Sequence, residues 1–186
     1  MRKNIFPVVF YAILFTISVV ILQKAYGGDS MPSQDENKKI TVLNTEKNQM
    51  EEHVCVFQPK EVLRKKLTDG QFRITQEHGT EMPFSSKLVY NKETGVYKCV
   101  VCGNDLFMSD TKFDSGTGWP SFWKAVHPNN IKTKVDSSHG MTRVEVLCAR
   151  CGAHLGHIFP DGPEPTGERY CINGDALQFQ SKLKDK

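Results

Sequence analysis

The chain has no basic stripe. Its 24 Lys and Arg stand against 21 Asp and Glu, and the formal net charge of +3 is scattered, so nothing points to nucleic acid. No cysteine closely follows the apolar N-terminal run, so a lipid-modified N-terminus is not indicated. Nor does the sequence suit two domains: 186 residues with ordinary apolar and charged fractions fit one compact domain with extensions, whose core can be sizeable. The chain has six cysteines, and their spacing carries most of the chemical information. The lysine-rich C-terminus reads as a solvated end.

What is present begins with a leader. Arg2 and Lys3 precede an almost wholly apolar run from Ile5 to Leu22, and Ala25-Tyr26-Gly27 supplies small residues at signal-peptidase spacing. Residues 1–27 are therefore expected to be an export signal cleaved after Gly27 or, if retained, an N-terminal anchor, since the run is marginally long enough to span a bilayer. Either way the basic end stays inside and the remainder is exported: periplasmic, secreted, or membrane-anchored facing out of the cytoplasm. Residues 28–58 are polar, contain Pro32 and lack sustained periodicity, so they are expected to form a flexible tether that carries Cys55.

The folded domain is expected over residues 59–182. Pro59 opens a stretch with apolar positions at helical spacing, and Thr68 with Gln71 three residues on looks like a capping box, so two short helices lead into the domain. Leu88-Val89-Tyr90 and Val96-Tyr97-Lys98 read as a hairpin around Asn91 and Gly95. Strand signals then dominate, at residues 132–135, 142–147, 157–159 and 169–172.

Cys99-Val100-Val101-Cys102-Gly103-Asn104-Asp105-Leu106 and Cys148-Ala149-Arg150-Cys151-Gly152-Ala153-His154-Leu155 both spell C-x-x-C-G-x-x-L. Two such turns offer four thiolates to one ion, with the glycine letting the backbone bend so that amide N–H groups point at sulfur. Softness and tetrahedral preference favour Zn²⁺, with iron the competitor and two disulfides the alternative in an oxidising compartment. A filled Cys₄ site has no open position, so the metal would be structural.

Cys55 and Cys171 remain. In Arg169-Tyr170-Cys171-Ile172-Asn173, an extended chain puts Arg169, Cys171 and Asn173 on one face and Tyr170 and Ile172 on the other. A thiol between a guanidinium and an amide is in a setting that favours thiolate, the nucleophilic form. The competing reading makes Cys171 a small buried hydrophobe. His154 and His157 flank the second knuckle, and an imidazole beside a thiol can serve as proton donor. Residues 113–123 form a glycine-rich loop in which Trp119, Phe122 and Trp123 are core, wall of an apolar pocket for an S-methyl group, or both.

Together these residues resemble the type B methionine sulfoxide reductases. The likeness runs from about Pro59 to Gln180 and includes Arg73-Ile74-Thr75-Gln76-Glu77-His78-Gly79-Thr80-Glu81, both knuckles, Gly116-Thr117-Gly118-Trp119-Pro120-Ser121-Phe122, His154-Leu155-Gly156-His157 and the Cys171 stretch. It implies a mainly β fold of two antiparallel sheets, tent-like, with short N-terminal helices and zinc held by Cys99, Cys102, Cys148 and Cys151. It implies reduction of the R epimer of methionine S-oxide in peptides and proteins by a monomeric enzyme. Cys171 would be the nucleophile, His154, His157 and Asn173 would position and protonate the sulfoxide oxygen, Arg169 would support the thiolate, and Trp119 with Phe122 would bind substrate. Many members carry a resolving cysteine in the glycine loop where this chain has Thr117. The tethered Cys55 is accordingly the candidate resolving residue, with a thioredoxin-like protein as final reductant and direct reduction by that partner as the alternative. Two other classes compete: a zinc-held peptide-binding module with a structural Cys171, and a disulfide-exchange protein that uses its C-x-x-C pairs.

Overall fold

The structure, a computed structural model, describes residues 38–182. The expected export segment and the start of the expected tether lie outside the described residues.

The rest of the tether is not a tether. Strands β1 (Lys39–Asn44) and β2 (Gln49–Val54) pair antiparallel from Lys39↔Val54 to Asn44↔Gln49, around a turn that ends at left-handed Asn48. Only Val42 in the two strands is buried, so the segment carries almost no hydrophobic pattern. An isolated two-stranded hairpin is marginal in water, and this one is held by buried side chains that lie far along the chain. The Asn130 amide accepts from the Leu43 N–H at 2.8 Å and donates to the Leu43 carbonyl at 2.9 Å, imitating a neighbouring strand. Asp105 accepts from both the N–H and the hydroxyl of Thr45.

Helix α1 (Lys60–Lys66) starts behind Pro59, and α2 (Asp69–Glu77) starts at Thr68. Thr68 and Gln71 form the reciprocal capping box the sequence predicts, at 3.2 and 3.1 Å. His78 ends α2 in the left-handed region, which fixes the direction of its side chain.

The remaining strands are β3 (Gly95–Cys99), β4 (Asp105–Met108), β5 (Lys112–Phe113), β6 (Ser121–Phe122), β7 (Ile131–Asp136), β8 (Arg143–Cys148), β9 (His154–Phe159), β10 (Arg169–Ile172) and β11 (Leu177–Ser181). They form two principal antiparallel sheets, a six-stranded one in the order β5-β6-β10-β9-β8-β7 and a three-stranded one in the order β11-β3-β4. The hairpin expected around residues 88–98 does not form. Lys87–Val89 is a single 3₁₀ turn, because the Ser86 hydroxyl caps the Leu88 N–H and offers the backbone a local partner instead of a strand. β3 pairs instead with β4 and β11.

The core fills the space between the two principal sheets. Phe107 stacks on Phe122 with ring centroids 4.4 Å apart, and Tyr97 meets the Phe122 ring edge-on at 4.9 Å. Tyr170 and Ile172 of β10 point into this core, so the alternation of a strand sends Cys171 to the opposite face of the large sheet.

Candidate active site

Sheet register assembles the reactive row. Cys171 lies directly opposite His157 of β9 on one side and Ser121 of β6 on the other. His157 in turn lies opposite Glu145 of β8. Directly opposed residues share a face, so Ser121, Cys171, His157 and Glu145 make one line across four strands. Gly156 allows the close approach of β9 to β10, since a Cβ there would strike the Cys171 carbonyl.

The thiol is partly buried. Burial pushes the Cys171 thiol up, while the Arg169 charge and hydrogen bonds from Thr117 and Arg169 draw it back only in part. The flanking guanidinium therefore moderates the desolvation without overcoming it, so the thiol is pushed up at a position where the sequence alone points to a setting that favours thiolate. Thr117 belongs to a hydroxyl chain: Ser115 bonds Thr117 and Ser121, each at 2.8 Å. Arg169 is fixed by a bidentate pair with Asp161 at 2.8 and 2.9 Å and lies over the Phe159 ring.

The histidines are held from behind. His157 bonds Asp136 at 2.8 Å through Nε2, and Arg143 bonds the same carboxylate oxygen. Those contacts, with the Ser138 bonds the largest influence, hold Asp136 well below the usual carboxylate range. His154, 2% exposed, bonds Glu145 Oε1 through Nδ1 at 2.7 Å, and His78 bonds the same oxygen at the same distance. A bulge in β9 at Leu155, opposite Val146 and Leu147 of β8, lets His154 and Glu145 meet. The three imidazoles run in a row, with centroids 5.4 Å apart from His78 to His154 and 5.5 Å from His154 to His157. Burial lowers the His154 pKa despite its carboxylate partner, so the ring is neutral.

Two expected site residues sit elsewhere. Phe122 is fully buried between Phe107 and Tyr97 and presents no face to a ligand; it is core, because β6 directs it inward while Ser121 faces the site. Asn173 follows β10, and its amide is spent on backbone: it accepts from the Glu81 N–H at 3.1 Å and donates to the Leu155 carbonyl at 3.0 Å. It ties the loop bearing Glu81 to the reactive strand. Glu81 completes the tie by accepting from the Gly174 and Asp175 N–H groups, and its carbonyl accepts from the half-buried Trp119 indole at 3.3 Å.

Cys55 is buried at 4% exposure, within backbone bonds from its own N–H to the Lys38 carbonyl and from Val56 N–H to the Arg150 carbonyl. It sits beside the second knuckle in ordered chain. The swinging approach expected of a tethered thiol has no structural basis.

The knuckles repeat as the sequence does. In each, the glycine is left-handed (φ +73° for both Gly103 and Gly152) and its N–H donates to the carbonyl of the first cysteine, closing the turn, rather than to sulfur. The four cysteines converge: Cys99–Cys151 and Cys102–Cys148 sulfurs are 3.6 Å apart. Four sulfurs about 2.3 Å from a tetrahedral ion are separated by roughly 3.8 Å, so the set fits a metal and is too open for disulfides. Crowded together, these groups divide their ionisation unevenly: hydrogen bonds from its neighbours draw the Cys148 thiol down, while the same contacts and burial push those of Cys99 and Cys151 up.

A metal-competent Cys₄ cluster and a separate thiol in register with a supported imidazole suit redox chemistry at sulfur, and the comparisons specify the class. Residues 67–181 match the SelR domain model, so the chain belongs to that family. It is 52% identical over 132 residues to the peptide methionine sulfoxide reductase MsrB of Methanosarcina barkeri (strain Fusaro / DSM 804), covering 71% of this chain and 93% of that protein. It is 56% identical over 119 residues to the MsrB of Escherichia coli O139:H28 (strain E24377A / ETEC), covering 64% and 87%, with the same figures for E. coli strain K12 / DH10B. The protein is an oxidoreductase acting on methionine sulfoxide.

Sequence reasoning missed His78, Glu145, Asp136, Asp161 and Glu81 as supports of the site. His78 and Glu81 lie within a stretch quoted for the resemblance, but the charged partners of the other side chains are set by strand register.

Proposed function

We propose that the protein reduces the R epimer of methionine sulfoxide in exported proteins and peptides, with Cys171 as nucleophile. The observation that carries this is the register of Cys171 with His157, between the Arg169–Asp161 pair and the Thr117 hydroxyl. Cys171 gives up its proton on the way to attack, its sulfur engages the sulfoxide, and His157 with His154 behind it moves a proton to the sulfoxide oxygen. Methionine leaves with the electron pair of the broken S–O bond, and the oxygen stays on Cys171 as a sulfenic acid. Trp119 walls the substrate methyl. A thiol of a thioredoxin-like protein then attacks the sulfenic acid, water leaves, and a second thiol of the same partner resolves the mixed disulfide. The burial of Cys55 favours this direct route over an internal disulfide.

Cys99, Cys102, Cys148 and Cys151 would hold Zn²⁺. The ion would cross-link the β3–β4 and β8–β9 turns and take no part in redox chemistry. The apolar run at residues 5–22 supports export.

The test is turnover of separately purified epimers of a methionine sulfoxide peptide, with dithiothreitol as reductant. Reduction of the R epimer alone, abolished by Cys171→Ser with metal content intact, is expected. A folded, metal-loaded protein that reduces neither epimer would leave the peptide-binding module as the better reading.

A further inference from the structure

We propose that His78, Glu145 and His154 form a second metal site that takes a borderline divalent cation of the zinc, cobalt and nickel type, and that its occupancy inhibits the reductase. The inhibitory half rests on the role given above to His154; the binding half does not.

Three separate elements supply the donors: the left-handed residue that ends α2, the centre of β8 and the start of β9. Their ligand atoms, His78 Nδ1, Glu145 Oε1 and His154 Nδ1, all lie within 4.8 Å of one another, with both nitrogens 2.7 Å from the oxygen. Ligands about 2.0–2.2 Å from a tetrahedral ion are roughly 3.4 Å apart. Seating an ion therefore needs the carboxylate to draw back slightly and the exposed His78 ring to close in. Glu145 and His154 sit on paired strands and stay put.

Donor chemistry selects the cation. Two imidazoles and one carboxylate suit zinc and its neighbours, whereas calcium and magnesium want oxygen alone. Three protein ligands leave a position for water, and His78, whose side chain is 61% exposed, marks the entrance. Burial keeps His154 neutral, the ligating form, and the hydrogen bonds of both imidazoles outweigh burial to keep Glu145 ionised. The hydrogen-bonded cluster thus gathers two imidazoles around one buried carboxylate. A divalent ion would take the place of any proton on the two Nδ1 atoms facing that carboxylate, each displaced proton moving to Nε2 of the same ring or leaving to water. A metal-bound His154 cannot take up a proton, and the ion would place positive charge beside His157, within one strand of Cys171.

Cobalt tests this without confusion from the cysteines. Full-length protein with its Cys₄ site loaded with Zn²⁺ is titrated with Co²⁺. One further ion per chain is expected, with weak visible bands of nitrogen and oxygen ligation and no thiolate-to-cobalt charge transfer. Cobalt-edge absorption on the unaltered protein should count two imidazoles and no sulfur. His78→Gln, a change at an exposed side chain, should weaken the uptake by at least roughly tenfold. Sulfoxide reduction should fall in step with occupancy and return with a mild chelator that leaves the Cys₄ zinc in place. No added cobalt in the wild type, sulfur ligation, or equal uptake by His78→Gln would overturn the site. Uptake without loss of turnover would overturn the inhibition. Protein that binds cobalt but reduces no sulfoxide even before titration would overturn the reductase reading and the inhibition with it, leaving the site standing.

Discussion

Cys171 stands between His157 and Ser121, one directly across each strand boundary, while its chain neighbours Tyr170 and Ile172 are sealed in the core on the opposite face of the sheet. The proposed nucleophile and the proposed proton donor are therefore positioned by backbone pairing rather than by loops. This is the rigid placement that proton transfer to a developing leaving group requires.

Burial dominates the Cys171 ionisation, so alkylation by iodoacetamide should titrate above the ordinary thiol value of 9.0, since thiolate appears only as pH passes the raised pKa. Thr117→Val removes a hydrogen bond that favours thiolate and should move the alkylation midpoint further up. A midpoint below the ordinary value in the wild type would contradict the assignment of burial as the controlling influence.

Phe122→Ala should cost stability and not substrate affinity. Removing a ring stacked on Phe107 and met edge-on by Tyr97 is expected to destabilise by about 3–5 kcal/mol in denaturant unfolding. The fraction that remains folded should keep its KM. A raised KM with unchanged stability would return Phe122 to the substrate site.

Chelation of the Cys₄ metal, or Cys102→Ser, should abolish cooperative unfolding, because the sulfurs join the two strand turns, helped by Asn104 donating to Cys148 Sγ and Arg150 donating to the Cys102 carbonyl. Near-ultraviolet circular dichroism before and after metal removal reads this directly. Retention of the native spectrum without metal would mean that the aromatic core alone holds the turns.

Cys55→Ser should leave turnover with both dithiothreitol and a thioredoxin-like reductant unchanged, since Cys55 is packed beside Arg150 in hydrogen-bonded chain. Loss of the thioredoxin-supported rate alone would show that the segment opens during the cycle.

Asn130→Ala should release the β1–β2 hairpin while leaving both principal sheets intact. The buried amide satisfies Leu43 on both of its backbone groups and also donates to the Asp105 carbonyl, so its loss should cost about 1–3 kcal/mol. Hydrogen exchange at the Leu43 amide should speed far more than at Val146 in the central sheet. Equal protection at both sites would show that β1 and β2 hold themselves.

Much of this molecule is legible in the chain. The repeated C-x-x-C-G fixes two identical turns because glycine is needed where φ is positive, and the structure repeats them down to the same hydrogen bond. The Thr68–Gln71 capping box is local chemistry between residues three apart, and it forms as read. Strands β7 to β10 lie where the sequence carries strand signals, although β7 has no buried residue and is held by its pairing with β8. The hairpin at Lys39–Val54 was not legible, since its support comes from Asn130 and Asp105, 87 and 60 residues from the groups they hold, and not from apolar residues of its own.

By itself, then, the sequence determined the residue types that can do chemistry, the metal-ligating spacing and the family. Each of these depends on neighbours within a few residues or on the order of motifs. Tertiary structure alone decided the partners: that His157 faces Cys171, that Glu145 serves both His78 and His154, that Arg169 is occupied by Asp161, and that Cys55 is buried. Those relations depend on strand register and on burial. A one-residue slip in pairing would reverse every side chain while leaving the sequence unchanged, and no local pattern records how much water the folded chain removes from a thiol.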